Sequence, residues 1–222
     1  MSTEVTYDDR LRMIPVDSER YAAAVEQMKA DLERLGGAAE PSAVFKLLRA
    51  IGSGLVVLRA CGEAVSFLER ALAVAGDDPG RRTAVLINLA DAHRYAGDLD
   101  RAEPLNLEAL DLAPARLRDF ALQHLAKLRI DQKRFREAEL LLLEALERRR
   151  AKGDAELISS TELTLQRCRR ESVMLGLLAR SSETLTGNPP PTGAGWRTSP
   201  TGSTGSAGRA SGAGHAVRRG RE

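Results

Sequence analysis

Few residues of this 222-residue chain could carry out covalent or metal chemistry, and they form no catalytic pattern. His93 and His124 each lack a second metal ligand four residues away, and neither stands beside a serine or cysteine nucleophile pattern. Cys61 and Cys168 are too few for a disulfide framework, do not complete a four-ligand zinc site with the histidines, and have no matched base. We therefore predict a protein that is not an enzyme and has no metal or other cofactor, in which these side chains serve packing.

A glycine pair, Gly52-Ser53-Gly54, could suggest a phosphate-binding loop. Such a loop follows a strand and continues into Gly-Lys-Ser/Thr. The segment has neither feature, so its small residues indicate close packing within a helix.

The densest basic grouping could bind an anion or a nucleic acid. Its cations alternate with acids such as Glu156 and Glu162, which favours a solvated and partly paired helix face. The alternative is an anion-binding edge that a basic tail could strengthen. The candidate residues are Arg148, Arg149, Arg150, Arg167, Arg169 and Arg170, with Lys152 nearby.

The formal net charge of +2 is distributed unevenly along the chain. Residues 187–222 hold five arginines against one acid and are rich in glycine, serine, threonine and proline. Such a segment cannot bury enough apolar surface to fold, so we predict a disordered basic tail. It contains Trp196 beside Pro189-Pro190-Pro191, which favours a spacer over a linear docking motif. The first 186 residues carry −2.

Composition also limits the location of the protein. No stretch approaches the ~18 consecutive apolar residues of a membrane span, and the charged start MSTEVTYDDRLRM is unlike a secretory signal, so we expect a cytoplasmic protein without membrane contact. The 28 arginines against 5 lysines, with abundant alanine, are typical of a GC-rich bacterial genome.

Helical periodicity dominates the chain before the tail, and strand signals are missing. Apolar residues from Tyr21 to Leu35 follow 4-3-4-3 spacing, with Ser18 as a candidate N-cap and Gly36-Gly37 as a stop, which predicts a helix over 18–36. Further helices are predicted over 41–58 and 63–76. A last amphipathic stretch covers 154–185, and whether Arg169-Arg170 divides it into two helices stays open.

An internal repeat decides the predicted architecture. Ala102-Glu-Pro-Leu-Asn-Leu-Glu-Ala-Leu110 recurs as Ala138-Glu-Leu-Leu-Leu-Leu-Glu-Ala-Leu146, with seven identities in nine at an offset of 36. A weaker copy precedes them at an offset of 38, around Ala64, Leu68 and Ala71. Three copies are therefore present.

With these residues the chain resembles the tetratricopeptide repeat, a helix–turn–helix unit of about 34 residues. Ala90 and Ala102 stand where helices approach closely, Gly97 permits the turn, and Asp98 can cap the second helix. The string Asn88-Leu89-Ala90, followed by Gly97 and Ala102, is most similar to the kinesin-light-chain type, common in bacteria. The resemblance covers about residues 42–153.

The resemblance implies an all-α superhelix, or repeat solenoid, of about three repeats between capping helices. The predicted division is a flexible N-terminus (1–17), an N-terminal capping helix (18–40), three repeats within 41–153 (41–80, 81–117 and 118–153), a C-terminal capping helix (154–186) and the disordered tail (187–222).

Five positions depart from the family pattern. His93 and Arg129 replace an aromatic residue, Asn106 replaces a bulky apolar one, and Arg59 and Lys133 replace the turn glycine. We expect a core between repeats that is poor in aromatic residues, and a third turn that is less sharp than the second.

The resemblance also implies a function without chemistry of its own. Such repeats act as protein-interaction scaffolds or adaptors that bind a peptide or a partner helix in a groove lined by the first helix of each pair. Asparagine can donate and accept hydrogen bonds at once, and the resemblance implies that Asn88 holds a peptide backbone. Helical spacing places Arg49, Ser53, Asn88, Asp91, Tyr95, Gln123, Lys127 and Asp131 on that exposed inner surface. The alternative is a nucleic-acid- or anion-binding regulator that uses the basic cluster 148–170 and the tail. The sequence does not identify the partner.

Overall fold

The computed structural model describes residues 4–36 and 40–185. Within them, a two-stranded hairpin precedes eight helices. The predicted tail, 187–222, lies outside the described residues. The elements are β1 (Val5–Tyr7), β2 (Met13–Pro15), α1 (Ser18–Leu35), α2 (Pro41–Val57), α3 (Cys61–Ala75), α4 (Pro79–Ala96), α5 (Leu99–Leu112), α6 (Arg118–Asp131), α7 (Phe135–Lys152) and α8 (Ala155–Leu185).

The helices pack as consecutive pairs, α2 with α3, α4 with α5 and α6 with α7. Each pair also packs on the next, and the first helices α2, α4 and α6 contact one another in sequence. Helix α1 packs on α2, and α8 buries Leu165 and Cys168 against Phe135, Ala138 and Leu142 of α7. The predicted all-α superhelix of three helix pairs is therefore confirmed.

Small residues occupy the closest helix contacts. A Cβ atom added to Gly52 would lie 2.5 Å from Leu68 Cγ, and one added to Gly54 would lie 2.7 Å from Val25 Cγ2. The Gly52-Ser53-Gly54 segment therefore serves the packing of α2 on α3 and α1, as predicted. Alanines at repeated positions are fully buried in all three pairs, namely Ala64, Ala71, Ala102, Ala109, Ala138 and Ala145.

Polar side chains replace aromatic ones between the repeats, as expected. Arg129 is 5% exposed, and its guanidinium lies 2.7 Å from Glu103 and 3.4 Å from Glu137. Buried Asn106 donates from Nδ2 to the Ala102 carbonyl at 3.3 Å. Arg129 thus replaces the contacts of an aromatic ring by ion pairs, and Asn106 replaces an apolar contact by a hydrogen bond within α5.

Residues 4–16, within the segment predicted to be a flexible N-terminus, form a β-hairpin. Val5 pairs with Pro15, and Tyr7 with Met13, in antiparallel register. Asp8 closes the turn, because its side chain accepts hydrogen bonds from the Arg10 and Arg12 amides. The lack of strand signals was misleading here, since strands of three residues are too short for a recognisable alternation.

Helix ends differ little from the prediction. Asp17 rather than Ser18 caps α1, with its carboxylate accepting from the Arg20 amide at 2.9 Å. Helix α8 runs through Arg169-Arg170 as a single helix.

In the described part of the chain, no helix is both long and apolar enough to cross a bilayer.

The turn inside each pair has one backbone conformation, whichever residue occupies it. The residues Arg59, Gly97 and Lys133 have φ of 66°, 88° and 65°. The next residue donates its amide back to the carbonyl of residue 55, 93 or 129, at 2.8–2.9 Å. The expectation of a less sharp third turn is therefore wrong, because this hydrogen bond holds even a lysine in the left-handed region.

Lys133→Gly should stabilise the protein, because glycine adopts positive φ without the steric cost that a lysine Cβ incurs. We expect a gain of about 0.5–1 kcal/mol in the free energy of unfolding, from urea titration. The matched control is Gly97→Ala, which should lose about 1 kcal/mol at the equivalent turn. A loss of stability in Lys133→Gly would contradict this account of the turn.

Candidate binding surface

The first helices α2, α4 and α6, continued by α8, form what we call the inner face. All eight predicted groove residues lie on three of these helices: Arg49 and Ser53 on α2, Asn88, Asp91 and Tyr95 on α4, and Gln123, Lys127 and Asp131 on α6.

Polar side chains connect each helix of the inner face to the next. Arg49 Nη1 donates to Asn88 Oδ1 at 3.3 Å and joins α2 to α4. Asp91 Oδ2 lies 2.8 Å from His124 Nδ1 and joins α4 to α6. Burial lowers the pKa of His124. Burial opposes the charge of Asp91, but the attraction of His124 and Arg94 outweighs it and holds the pKa of Asp91 well below its usual range. Asp91 therefore remains a carboxylate at pH 7.

Asp131, the last residue of α6, joins this helix to α4, α8 and the hairpin. Its carboxylate accepts from Arg94 of α4 at 3.0 Å and from Arg167 of α8 at 2.9 Å. Arg12 of the hairpin lies 3.7 Å away. Arg94 is 1% exposed and Arg167 4%, so these are buried ion pairs.

The hairpin covers part of the inner face at Tyr95. The Met13 amide donates to the Tyr95 hydroxyl at 2.9 Å, and Arg12 donates to the Tyr95 carbonyl at 3.4 Å. The Arg59 guanidinium lies 4.4 Å from the centre of the Tyr95 ring and pairs with Asp8 at 3.3 Å. Tyr95 therefore holds the hairpin and is not free for a partner.

Helix α8 covers the inner face at Gln123. Gln123 Nε2 donates to Ser160 Oγ at 3.2 Å, and Gln123 Oε1 accepts from Thr161 at 2.8 Å and also from Arg149. The expected exposure is therefore wrong for Asp91, Tyr95 and Gln123, which are 5%, 8% and 3% exposed. It is also wrong for Asp131, whose side chain is 8% exposed. Spacing within one helix could not show that other segments of the chain cover these positions.

The other predicted residues are partly accessible. Arg49, Ser53, Asn88 and Lys127 are half-buried. Among the side chains that the structure describes, those of residues 4–36 and 40–177, Ser53 and Lys127 make no hydrogen bond or ion pair. Lys127 lines a cavity of about 310 Å³ between the hairpin and α8. A second cavity, of about 550 Å³, is lined in part by Arg10, Arg12, Arg167 and Met174.

The candidate anion-binding arginines are mostly neutralised. Arg149 is buried against Asp119 at 3.0 Å, and Lys152 also contacts that carboxylate. Of the predicted set, Arg170 alone is exposed without a partner in the described part of the chain. This pattern favours the paired helix face over an anion-binding edge. The remaining pairs are Arg148–Glu144, Arg150–Glu162, Arg167–Glu171 and Arg169–Glu139.

The thiols are packed. Cys168 is 1% exposed and donates to the Phe135 carbonyl at 3.4 Å. Burial raises its pKa to about 11 and also raises that of Cys61, so both are protonated at pH 7. Across the described residues, no group of three His, Cys, Asp or Glu side chains could hold a metal ion.

Comparison with known proteins agrees with this fold. A sequence profile of the family described as tetratricopeptide repeat matches residues 85–119. The chain is similar to the crystal structure of the apo form of RapI, with a TM-score of 0.59 and 12% sequence identity, over 76% of this chain and 65% of RapI. The chain thus spans less than two thirds of the length of RapI. No curated protein matches significantly. The kinesin-light-chain subtype and the bacterial origin stay predictions.

Asp131→Asn should be strongly destabilising, because it removes the carboxylate shared by buried Arg94 and Arg167. Breaking a buried ion pair on one side typically costs 3–5 kcal/mol, and we expect about 3 kcal/mol here because both arginines keep a second acid. Urea unfolding measures the loss. The control Asp111→Asn changes an exposed acid of α5 and should alter stability by less than about 0.5 kcal/mol. An equal effect of both substitutions would contradict the central role of Asp131.

Lys127→Met should stabilise the protein at neutral pH. Burial, with repulsion from Arg94, Arg149 and Arg167, lowers the pKa of Lys127 to about 8 against attraction from Asp91. A folded-state pKa below the unfolded value means that folding releases a proton between pH 8 and 10.5. Wild-type stability should therefore rise over that range relative to Lys127→Met.

The expected gain at pH 7 is about 1–3 kcal/mol, from urea unfolding at each pH. The control Lys46→Met removes an exposed lysine of α2. If the free energies of unfolding of the wild type and Lys127→Met changed in parallel from pH 7 to 10.5, Lys127 would be fully solvated and this account would be contradicted.

Proposed function

We propose that this protein is a non-enzymatic interaction scaffold that binds a peptide or a partner helix on the open part of its inner face. This part is formed by Arg49, Ser53 and Asn88. The observation that carries the proposal is that these three side chains are half-buried on adjacent first helices and retain unused hydrogen-bonding groups.

The donors of the open part outnumber its acceptors. Arg49 uses one guanidinium nitrogen on Asn88 and has no carboxylate partner among the described side chains of residues 4–36 and 40–177. The Asn88 Nδ2 group and the Ser53 hydroxyl have no acceptor there either. Donors that lie partly out of water favour a partner that supplies carbonyl or carboxylate oxygens, as an extended peptide or an acidic helix does.

The surrounding structure supports binding at this surface. Arg49 and Asn88 already contact each other across α2 and α4, and Ser53 lies one helical turn after Arg49 on a helix fixed by close packing at Gly52 and Gly54. A surface that is ordered before binding loses little conformational entropy when its partner arrives. The fold therefore supplies a rigid surface for binding, and the proposed function requires no catalytic step.

The test begins with a library of random peptides displayed on phage and selected on the full chain. Synthetic copies of the selected peptides are then titrated against the wild type and an Arg49→Ala/Asn88→Ala double variant by calorimetry. We expect at least tenfold weaker binding to the variant, since each hydrogen bond to a charged group contributes about 1.5–3 kcal/mol.

The matched control is Arg136→Ala, which removes an exposed arginine of α7 outside the inner face. It should leave the affinity unchanged. Failure to select any peptide, or equal affinity of the double variant, would refute binding at the open part.

A further inference from the structure

We propose that the 310 Å³ cavity between the hairpin and α8 binds an apolar carboxylic acid, with its carboxylate on Lys127 and its tail against the hairpin. This site shares no lining residue with the open part of the inner face, so it stands independently of the proposed function. Its volume is at the lower end of the range of about 300–1,000 Å³ for small-molecule sites, which suits a short or medium-length chain.

Three elements build the cavity. The hairpin supplies an apolar wall, α6 supplies the ammonium group, and α8 supplies the hydroxyl-bearing wall. The lining residues are Tyr7, Leu11, Lys127, Glu156, Ser159, Ser160, Leu163 and Thr164.

Lys127 is a cation without a counter-ion. Among the described residues it makes no ion pair or hydrogen bond, and the acid that attracts it, Asp91, is already engaged by Arg94 at 3.1 Å and His124 at 2.8 Å. A partly desolvated ammonium in this position favours a ligand that carries one negative charge.

The hydroxyl wall can complete the recognition of a carboxylate. Ser160 Oγ accepts from Gln123 at 3.2 Å, which leaves its own proton for another acceptor. Exposed Ser159 has no hydrogen-bond partner among the described residues. Thr164 donates inward to the Ser160 carbonyl at 2.9 Å and so does not compete. The two oxygens of a carboxylate match an ammonium and a hydroxyl donor.

The same lining selects against other anions. Tyr7 is 53% exposed and Leu163 52%, so an apolar tail between them would remove exposed hydrocarbon from water. Glu156, also in the lining, opposes a second negative charge. The combination favours a monoanion with a hydrocarbon tail over a phosphate or a dicarboxylate.

Titration of the full chain with octanoate by calorimetry tests the site, with octanol and octylamine as uncharged and cationic probes of the same length. We expect octanoate to bind and the other two probes to bind at least tenfold more weakly. In Lys127→Met, octanoate affinity should fall at least tenfold, since a charge-assisted hydrogen bond contributes about 1.5–3 kcal/mol. The control Lys46→Met should bind octanoate like the wild type.

A second variant, Leu163→Glu, places an acid at an exposed position of the lining and should abolish octanoate binding while leaving the fold intact. A leucine-ended tripeptide with a free or an amidated C-terminus distinguishes the source of the carboxylate. Binding of the free form alone identifies a peptide terminus, and binding of octanoate alone identifies a free acid; both support the site. Equal binding of octanol, unchanged octanoate affinity in Lys127→Met, or no binding of any carboxylate would overturn the proposal.

Discussion

The structure depends on one shared carboxylate, that of Asp131. A single acid at the end of α6 holds Arg94 of α4, Arg167 of α8 and Arg12 of the hairpin. Two of these arginines are almost completely removed from water. A buried ion pair is stable only if its geometry is good and the hydrogen-bonding groups of both partners are satisfied. The hairpin, the middle repeats and the last helix therefore meet at one point whose charges must match.

The hairpin and α8, which meet at Asp131, divide the inner face into two parts. Towards α6 and α8 the face is closed, because Tyr95 receives the hairpin and Gln123 receives α8. Towards α2 it is open, with Arg49, Ser53 and Asn88 half-buried. Lys127 lies at the boundary, where the hairpin and α8 leave a cavity between them. The two proposals rest on these two different environments.

Periodicity and repetition were sufficient to predict the fold. The alanines at 102, 109, 138 and 145 could be read as close helix contacts, since no larger side chain fits where helices approach, and they are fully buried. The hairpin could not be predicted, because three-residue strands carry no period. The turn at Lys133 was misjudged, because its backbone hydrogen bond depends on the whole repeat and not on the residue type.

The sequence by itself determined the helix pairs, the small-residue contacts and the helices that carry the inner face, since these follow from the local spacing of side chains along a helix. Only the tertiary structure decided which inner-face residues are accessible. Tyr95 and Asp131 have the spacing of exposed groove residues, yet segments more than 30 residues away cover them. Burial depends on contacts between distant segments, and charge pairing across helices depends on distances that a one-dimensional pattern does not contain.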